Sequence, residues 1–213
     1  MKIIAISDTH EKHKEITIPE GDMLIHAGDF TFTGKFQAVA DFAQWMKSQP
    51  HKYKICIAGN HELTLDPRAP NRNIIINLLK EAGIIYLEDS SIELEDVKFY
   101  GSPHTPFFYD WAFNLPRGGI ISKKWEKIPE DVNVLITHGP PYGILDDTSD
   151  AGSQGCEELA KRVKKLTNLK VHVFGHLHRD GGKIQEHNGV KFINAAICTD
   201  NYKPINHPII IEI

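Results

Sequence analysis

Twelve histidines stand in a chain of 213 residues, and several directly follow short apolar runs. Asp8-x-His10, Gly28-Asp29, Gly59-Asn60-His61-Glu62, His138 and Gly175-His176-x-His178 occur in that order. These side chains offer carboxylate, amide oxygen and imidazole, a donor set that suits Mn, Fe, Zn, Ni or Co. A structural zinc site would instead use a closed set of four Cys and His donors. Asp8, His10, Asp29, Asn60, His138, His176 and His178 are too many for one ion. They suit two ions about 3.5–4 Å apart that share one carboxylate. Residues i and i+2 of an extended chain point the same way, so Asp8 with His10 can grip an ion together, as can His176 with His178 if the chain stays extended there.

Such donors need elements that bring them together. Lys2–Ile6, Met23–Ala27, Tyr53–Ala58, Val132–Ile136 and Val171–Phe174 are runs of strand length, rich in Ile and Val and closed by turn residues. Their near-continuous apolarity fits strands buried on both faces. Each delivers Asp, Asn or His just past its last apolar residue, where α/β sheets hold their ligands. Helical spacing joins Phe36, Val39, Phe42, Ala43 and Met46. It also joins Ile74, Ile75, Leu78, Leu79 and Ala82 before Gly83, and Leu159, Val163 and Leu166. Ile84–Leu87, Ser91–Glu95 and Val97–Tyr100 read as successive strands joined by short turns, as do Lys183–His187, Val190–Ile193 and Pro208–Ile213. The pattern predicts mixed sheets packed together with helices outside.

Length suits a single domain over 1–213. Lys and Arg number 24 against 28 Asp and Glu, a net charge of −4, which argues against a strong electrostatic grip on nucleic acid. No apolar run is long enough to span a membrane. The first residues lack a signal-peptide pattern, and three scattered cysteines make no disulfide framework, so a cytoplasmic protein is expected.

Taken together, the five ordered motifs resemble the calcineurin-like metallophosphoesterases. Gly101-Ser102-Pro103, Trp111-Ala112-Phe113-Asn114, Thr137-His138-Gly139-Pro140-Pro141, Gly155-Cys156 and Asn201-Tyr202-x-Pro204-Ile205-Asn206 further resemble the metallophosphoesterase-domain-containing branch. The resemblance implies a four-layer αββα sandwich of two mixed β-sheets flanked by helices, with a dinuclear metal site at the carboxyl ends of strands. It implies Asp8, His10 and His178 as ligands of one ion, Asn60, His138 and His176 as ligands of the other, and Asp29 as the bridge. Two divalent ions are the expected cofactors, with Mn first. The phosphatases of this superfamily usually carry another Asp shortly after Gly-Asp; Phe30-Thr31-Phe32-Thr33 has none, which weakens a phosphoprotein phosphatase reading.

The implied activity is hydrolysis of small phosphodiesters, 2′,3′- or 3′,5′-cyclic nucleotides included, with Asp29 and His61 catalytic. His61 would stabilise the phosphoryl group or protonate the leaving alkoxide, and Glu62 would orient a neighbouring group. Asn60, His61, His104 and His13 are the expected substrate contacts. The aromatic stretch Ser102–Gly118 could stack a base or could simply pack. Alternatives are a phosphomonoesterase, a nuclease of the same superfamily, or a non-catalytic interaction protein on this fold. The expected partner is a small phosphoester, with no membrane and no strong nucleic-acid binding; a homodimer is left open. His26, His172, His187 and His207 read as structural, His13 and His51 as solvated, and Asp146, Asp147 and Asp150 as a polar loop.

Overall fold

The computed structural model describes residues 1–148 and 151–213, so Asp150 of the expected polar loop lies outside the described residues. The principal strands are β1 (Lys2–Ile6), β2 (Met23–His26), β3 (Tyr53–Cys56), β4 (Ile85–Tyr86), β5 (Ser90–Leu94), β6 (Val97–Ser102), β7 (Val134–Thr137), β8 (Val171–Phe174), β9 (Lys183–His187), β10 (Val190–Asn194) and β11 (Ile209–Glu212). They form a five-stranded sheet, β11-β1-β2-β3-β4, and a six-stranded sheet, β9-β10-β8-β7-β6-β5. The pairs β1–β2, β2–β3, β6–β7, β7–β8 and β8–β10 are parallel; β1–β11, β5–β6 and β9–β10 are antiparallel.

Period-two alternation splits each central strand between two cores. Ile3 and Ala5 of β1 meet Val134 and Ile136 of β7 and Val171 and Val173 of β8 between the sheets. Ile4 and Ile6 face the other way, toward Val39, Phe42 and Met46 of α1 (Phe36–Ser48) and Ile75 and Leu79 of α2 (Arg72–Glu81). On the far side, Leu135 and Phe174 pack on Ile121 and Trp125 of α3 (Gly119–Trp125) and Leu159 and Val163 of α4 (Glu157–Val163). Each fully buried Ile or Leu contributes roughly 1.5–3 kcal/mol relative to exposure. The result is the four-layer αββα sandwich, with both sheets covered by helices. No helix among the described residues is long and apolar enough to cross a membrane.

Two expectations about connectivity need correction. β4 does not continue into β5; it adds to the edge of the first sheet beside β3, whereas β5 and β6 open the second. Likewise β11 leaves the β9–β10 hairpin and pairs with β1, Lys2 opposite Glu212. Adjacency in sequence does not force strands into one sheet when each exposes an apolar face to the central core, and residues 195–208 between β10 and β11 are a long connection rather than a short turn. Nothing in the sequence announces helix α3, because Gly118 precedes it, Gly119 opens it, and only Ile121 and Trp125, four residues apart, carry its buried stripe. Phe36 and Ile74 fit the helical spacing but are exposed.

Candidate metal centre

The candidate donors stand on the turns that leave β1, β2, β3, β7 and β8. These turns are not extended. Asp8, His10, Asp29 and His176 all have positive φ, of 52°, 42°, 55° and 68°. The expected i, i+2 geometry therefore does not apply, and the left-handed turns aim the side chains instead. Such backbone is sparsely populated for residues with a Cβ and persists where surrounding contacts fix it. Here the Asp8 N–H donates to Gly28 O (2.9 Å) and the His10 N–H to Asp29 O (3.1 Å). Two glycines make room beside the carboxylates. A Cβ on Gly175 would overlap Asp8 Oδ2 and Ser7 Oγ, and one on Gly59 would overlap Asp29 Oδ1.

Three overlapping groups of donor atoms result: Asp8, His10 and His178; His10, Asp29 and His61; and Asp29, His138 and His176. Within each group the donor atoms lie within 4.8 Å of one another. Asp29 Oδ2 is central, 3.2 Å from His138 Nε2, 3.9 Å from His61 Nε2 and 4.0 Å from His10 Nε2. Asn60 Oδ1 lies 3.0 Å from His138 Nε2, and Asp8 Oδ1 3.3 Å from His178 Nε2.

Outer hydrogen bonds set the tautomers. His138 Nδ1 meets Ala27 O at 2.9 Å, His178 Nδ1 meets Thr199 O at 3.0 Å and His61 Nδ1 meets Phe32 O at 2.7 Å. A carbonyl can only accept, so each Nδ1 carries the proton and each Nε2 turns a lone pair inward. His10 Nε2 and His178 Nε2 are 3.3 Å apart, and His10 Nδ1 is buried without a partner. Converging lone pairs and carboxylate oxygens, nearly all buried, are an arrangement that divalent cations fit.

The electrostatics agree. Burial disfavours the charge of Asp8, but the hydrogen bond and charge of His178 hold its carboxyl well below the usual range. Burial likewise opposes the Asp29 charge, and His138 overcomes it. Against its own burial, His138 is raised to about 9 by Asp29, so without an ion its Nε2 also carries a proton, which a bound cation would displace. Burial lowers His10 to about 4 and His176 to about 3, which leaves them neutral and able to ligate.

Glu62 is fully buried beneath this group. Its Oε2 accepts the N–H of Gly59 (2.7 Å) and of Asp29 (2.9 Å), and its Oε1 accepts the N–H and hydroxyl of Thr31 (both 2.9 Å). Burial and the Asp29 charge push its carboxyl up to about 8, while all four contacts are donors to the ionised form.

A cleft of about 410 Å³ opens over the donors, walled by Asp29, Asn60, His61, Trp111, Arg179 and Tyr202 among others. The Trp111 ring lies 4.4 Å from that of His61, and the Tyr202 ring 4.9 Å from that of His10. Nothing local in the sequence marks Tyr202 as a wall of the cleft; its only signal was the Asn201–Asn206 motif. Two expected substrate contacts are turned elsewhere. His13 is buried rather than solvated; its Nε2 lies 3.1 Å from Asp41 Oδ2 and its ring packs on Trp45. His104 is buried with Nδ1 3.2 Å from Phe113 O and Nε2 3.3 Å from Asp89. His51 is buried too, bonded to Pro19 O, whereas His187 and His207 are exposed. His26 and His172 are structural: each is fully buried, against Thr9 Oγ1 (2.9 Å) and Thr137 Oγ1 (2.8 Å). Asp146 is buried and accepts the N–H of Gly143 and Gly155.

Residues 1–180 match the family model for calcineurin-like phosphoesterases. The whole chain aligns at 41% identity with metallophosphoesterase domain-containing protein 1 of Homo sapiens, covering 71% of that protein, and equally with its Mus musculus counterpart. It is 40% identical to UPF0046 protein C25E10.12 of Caenorhabditis elegans over all of this chain and 81% of that one. Among solved structures, phosphopantetheinyl hydrolase from Mycobacterium tuberculosis shares the fold, with a TM-score of 0.66, 16% identity and coverage of 98% of this chain and 95% of that chain. With donors for two cations gathered around Asp29 and these matches across its length, the chain belongs to the calcineurin-like phosphoesterases, a family of dinuclear metal-dependent enzymes acting on phosphoester bonds, on the branch of the metallophosphoesterase-domain-containing proteins.

Proposed function

We propose that this chain is a phosphodiesterase that hydrolyses small phosphodiesters, cyclic nucleotides among them, with two divalent ions of which Mn is the first choice. The observation that carries the reading is the run of three donor groups linked through His10 and Asp29, with imidazole Nε2 atoms turned inward. In this reading Asp8, His10 and His178 hold one ion, Asn60, His138 and His176 the other, and Asp29 both. When bound, such ions supply positive charge for the phosphoryl oxygens and lower the pKa of water toward neutrality.

The chain's own residues then bind, orient and move a proton. His61 is fixed at Nδ1 by Phe32 O and backed by Trp111, so its Nε2 faces the cleft over Asp29. In its imidazolium form, protonated at Nε2 as well as Nδ1, it can stabilise the phosphoryl group or give the Nε2 proton to the departing alkoxide and return to the Nδ1–H tautomer. Asp29 Oδ1 accepts the His61 N–H at 2.9 Å, which ties the position of this group to the bridging carboxylate. Tyr109, Trp111 and Tyr202 give the cleft aromatic faces on which a base can stack.

The test is a panel with added Mn²⁺: bis(p-nitrophenyl) phosphate, 2′,3′- and 3′,5′-cyclic AMP, and p-nitrophenyl phosphate. Preference for diesters is expected. Cleavage of the monoester alone would overturn the diesterase reading, and cleavage of the nitrophenyl diester but no cyclic nucleotide would remove the nucleotide part.

A further inference from the structure

A second cavity, of about 420 Å³, adjoins the metal cleft. The two share Phe108, Thr148, His176 and Leu177, so Phe108 and the His176-Leu177 turn form a partition between them. Their chemistry differs. The cleft carries Asp29, Asp147, Asp200 and Arg179. The second cavity is walled by Pro106, Phe107, Phe108, Pro140 and Leu177, and no Asp or Glu lines it among the described residues. Its one permanent cation, Arg117, is held by backbone: Nη1 donates to Gly155 O (2.8 Å) and Nη2 to Gln154 O (2.9 Å). Apart from that guanidinium, the wall is apolar or uncharged among the described residues.

The aromatic wall is fixed in place. Phe107 and Phe108 are 62% and 57% exposed, yet their backbone is pinned. The Phe107 N–H donates to Leu115 O (2.9 Å), and Asn114 Nδ2 donates to Phe108 O (2.7 Å). Asn114 Oδ1 in turn accepts the Thr105 hydroxyl at 2.7 Å. Thr105–Pro106 and Asn114–Leu115 form a short parallel pair beneath the tip. Two exposed phenyl groups on a backbone pinned in this way, beside a cavity they leave open, suit a ligand that comes and goes.

We propose that this cavity is a subsite for an uncharged, apolar ester group of the substrate. It lies beyond His176 from the cleft that takes the other group. The inference rests on the phosphodiesterase reading and deepens it: the preferred substrate is an open diester with one apolar arm, of alkyl or aryl character, rather than a diester with two charged arms. Phe107 and Phe108 determine that preference.

The test compares p-nitrophenyl phosphodiesters whose second ester group is methyl, ethyl, propyl or butyl, using the Mn²⁺-loaded protein. kcat/KM is expected to rise about threefold to fourfold per added methylene until the cavity is full. Phe107→Ala should flatten that rise, whereas Tyr109→Ala, on the cleft side alone, should leave its slope in place. Calorimetry supplies a readout without turnover: butylphosphonate should bind at least about tenfold more tightly than methylphosphonate, and Phe107→Ala should erase the difference. A flat series in both assays, or a slope indifferent to Phe107→Ala, overturns the subsite. If no diester is cleaved, the methyl ester included, while butylphosphonate still binds more tightly through Phe107, the subsite stands and the phosphodiesterase reading fails.

Discussion

The buried Glu62 carboxylate accepts the Asp29 backbone N–H at 2.9 Å, so one acid fixes the turn from which another reaches both proposed ions. Because Glu62 meets four donors, Glu62→Gln is the informative change. Whichever way the amide is turned, its NH₂ faces two N–H or O–H groups. Each buried donor left unpaired costs about 1–3 kcal/mol. Above pH 8, where Glu62 is ionised, urea unfolding should show a loss of at least that order together with weaker metal binding. Unchanged stability would mean that the four contacts do not matter.

Gly175 is expected to tolerate no side chain. The Cβ of Gly175→Ala would displace Asp8, which now accepts the His176 N–H on both oxygens at 3.1 and 2.9 Å. Elemental analysis of this variant should find the ion of the Asp8, His10 and His178 group missing. Two ions at full occupancy would show that the crowding is relieved elsewhere.

The donors themselves were legible because each sits within a few residues of an apolar run, and the strand ends converge. Their conformation was not. The positive φ of Asp8 and His10 depends on the Gly28 and Asp29 carbonyls from a distant turn, which no local pattern reveals. Strand partners were equally hidden. Ile209–Ile211 alternates like any half-buried strand, and only the completed fold puts it against Lys2–Ile6, at the other end of the chain. His104 stands in an aromatic stretch that suggested substrate contact, but Asp89, which it meets, comes from the turn before β5, fifteen residues away. Mixed sheets with helices outside, in contrast, followed from apolar strands alternating with amphipathic helices, and the family resemblance implied the four layers.

His172 should make the protein acid-sensitive. Burial lowers it from 6.5 to about 3, and its Nδ1 has no partner. The native state therefore stays unprotonated while the unfolded chain gains a proton below pH 6.5. Stability from this group is complete above 6.5 and falls as pH drops toward 3. Between pH 7.5 and 5 the loss amounts to about 2 kcal/mol. In chelator-treated protein, His172→Gln should unfold in urea with a pH slope shallower by about one proton than wild type over pH 6 to 5. Identical slopes would place the acid sensitivity elsewhere.

His61→Ala separates ligation from proton transfer. The variant should still bind two ions, yet lose roughly 10²–10⁴-fold in kcat on diesters with alkyl leaving groups. p-Nitrophenolate leaves without a proton, so the loss there should be much smaller. Equal losses on both would assign His61 to phosphoryl binding alone.

The central claim is that Asp29 joins two ions into one hydrolytic centre. The most direct measurement is metal content and bis(p-nitrophenyl) phosphate hydrolysis on the same samples of wild type and Asp29→Asn, before and after chelation and with Mn²⁺ restored. The account predicts two ions per wild-type chain, activity lost with the metal and regained with Mn²⁺, and fewer than two ions with little turnover in Asp29→Asn. Full hydrolysis by metal-free protein, or a fully active Asp29→Asn holding two ions, would contradict it.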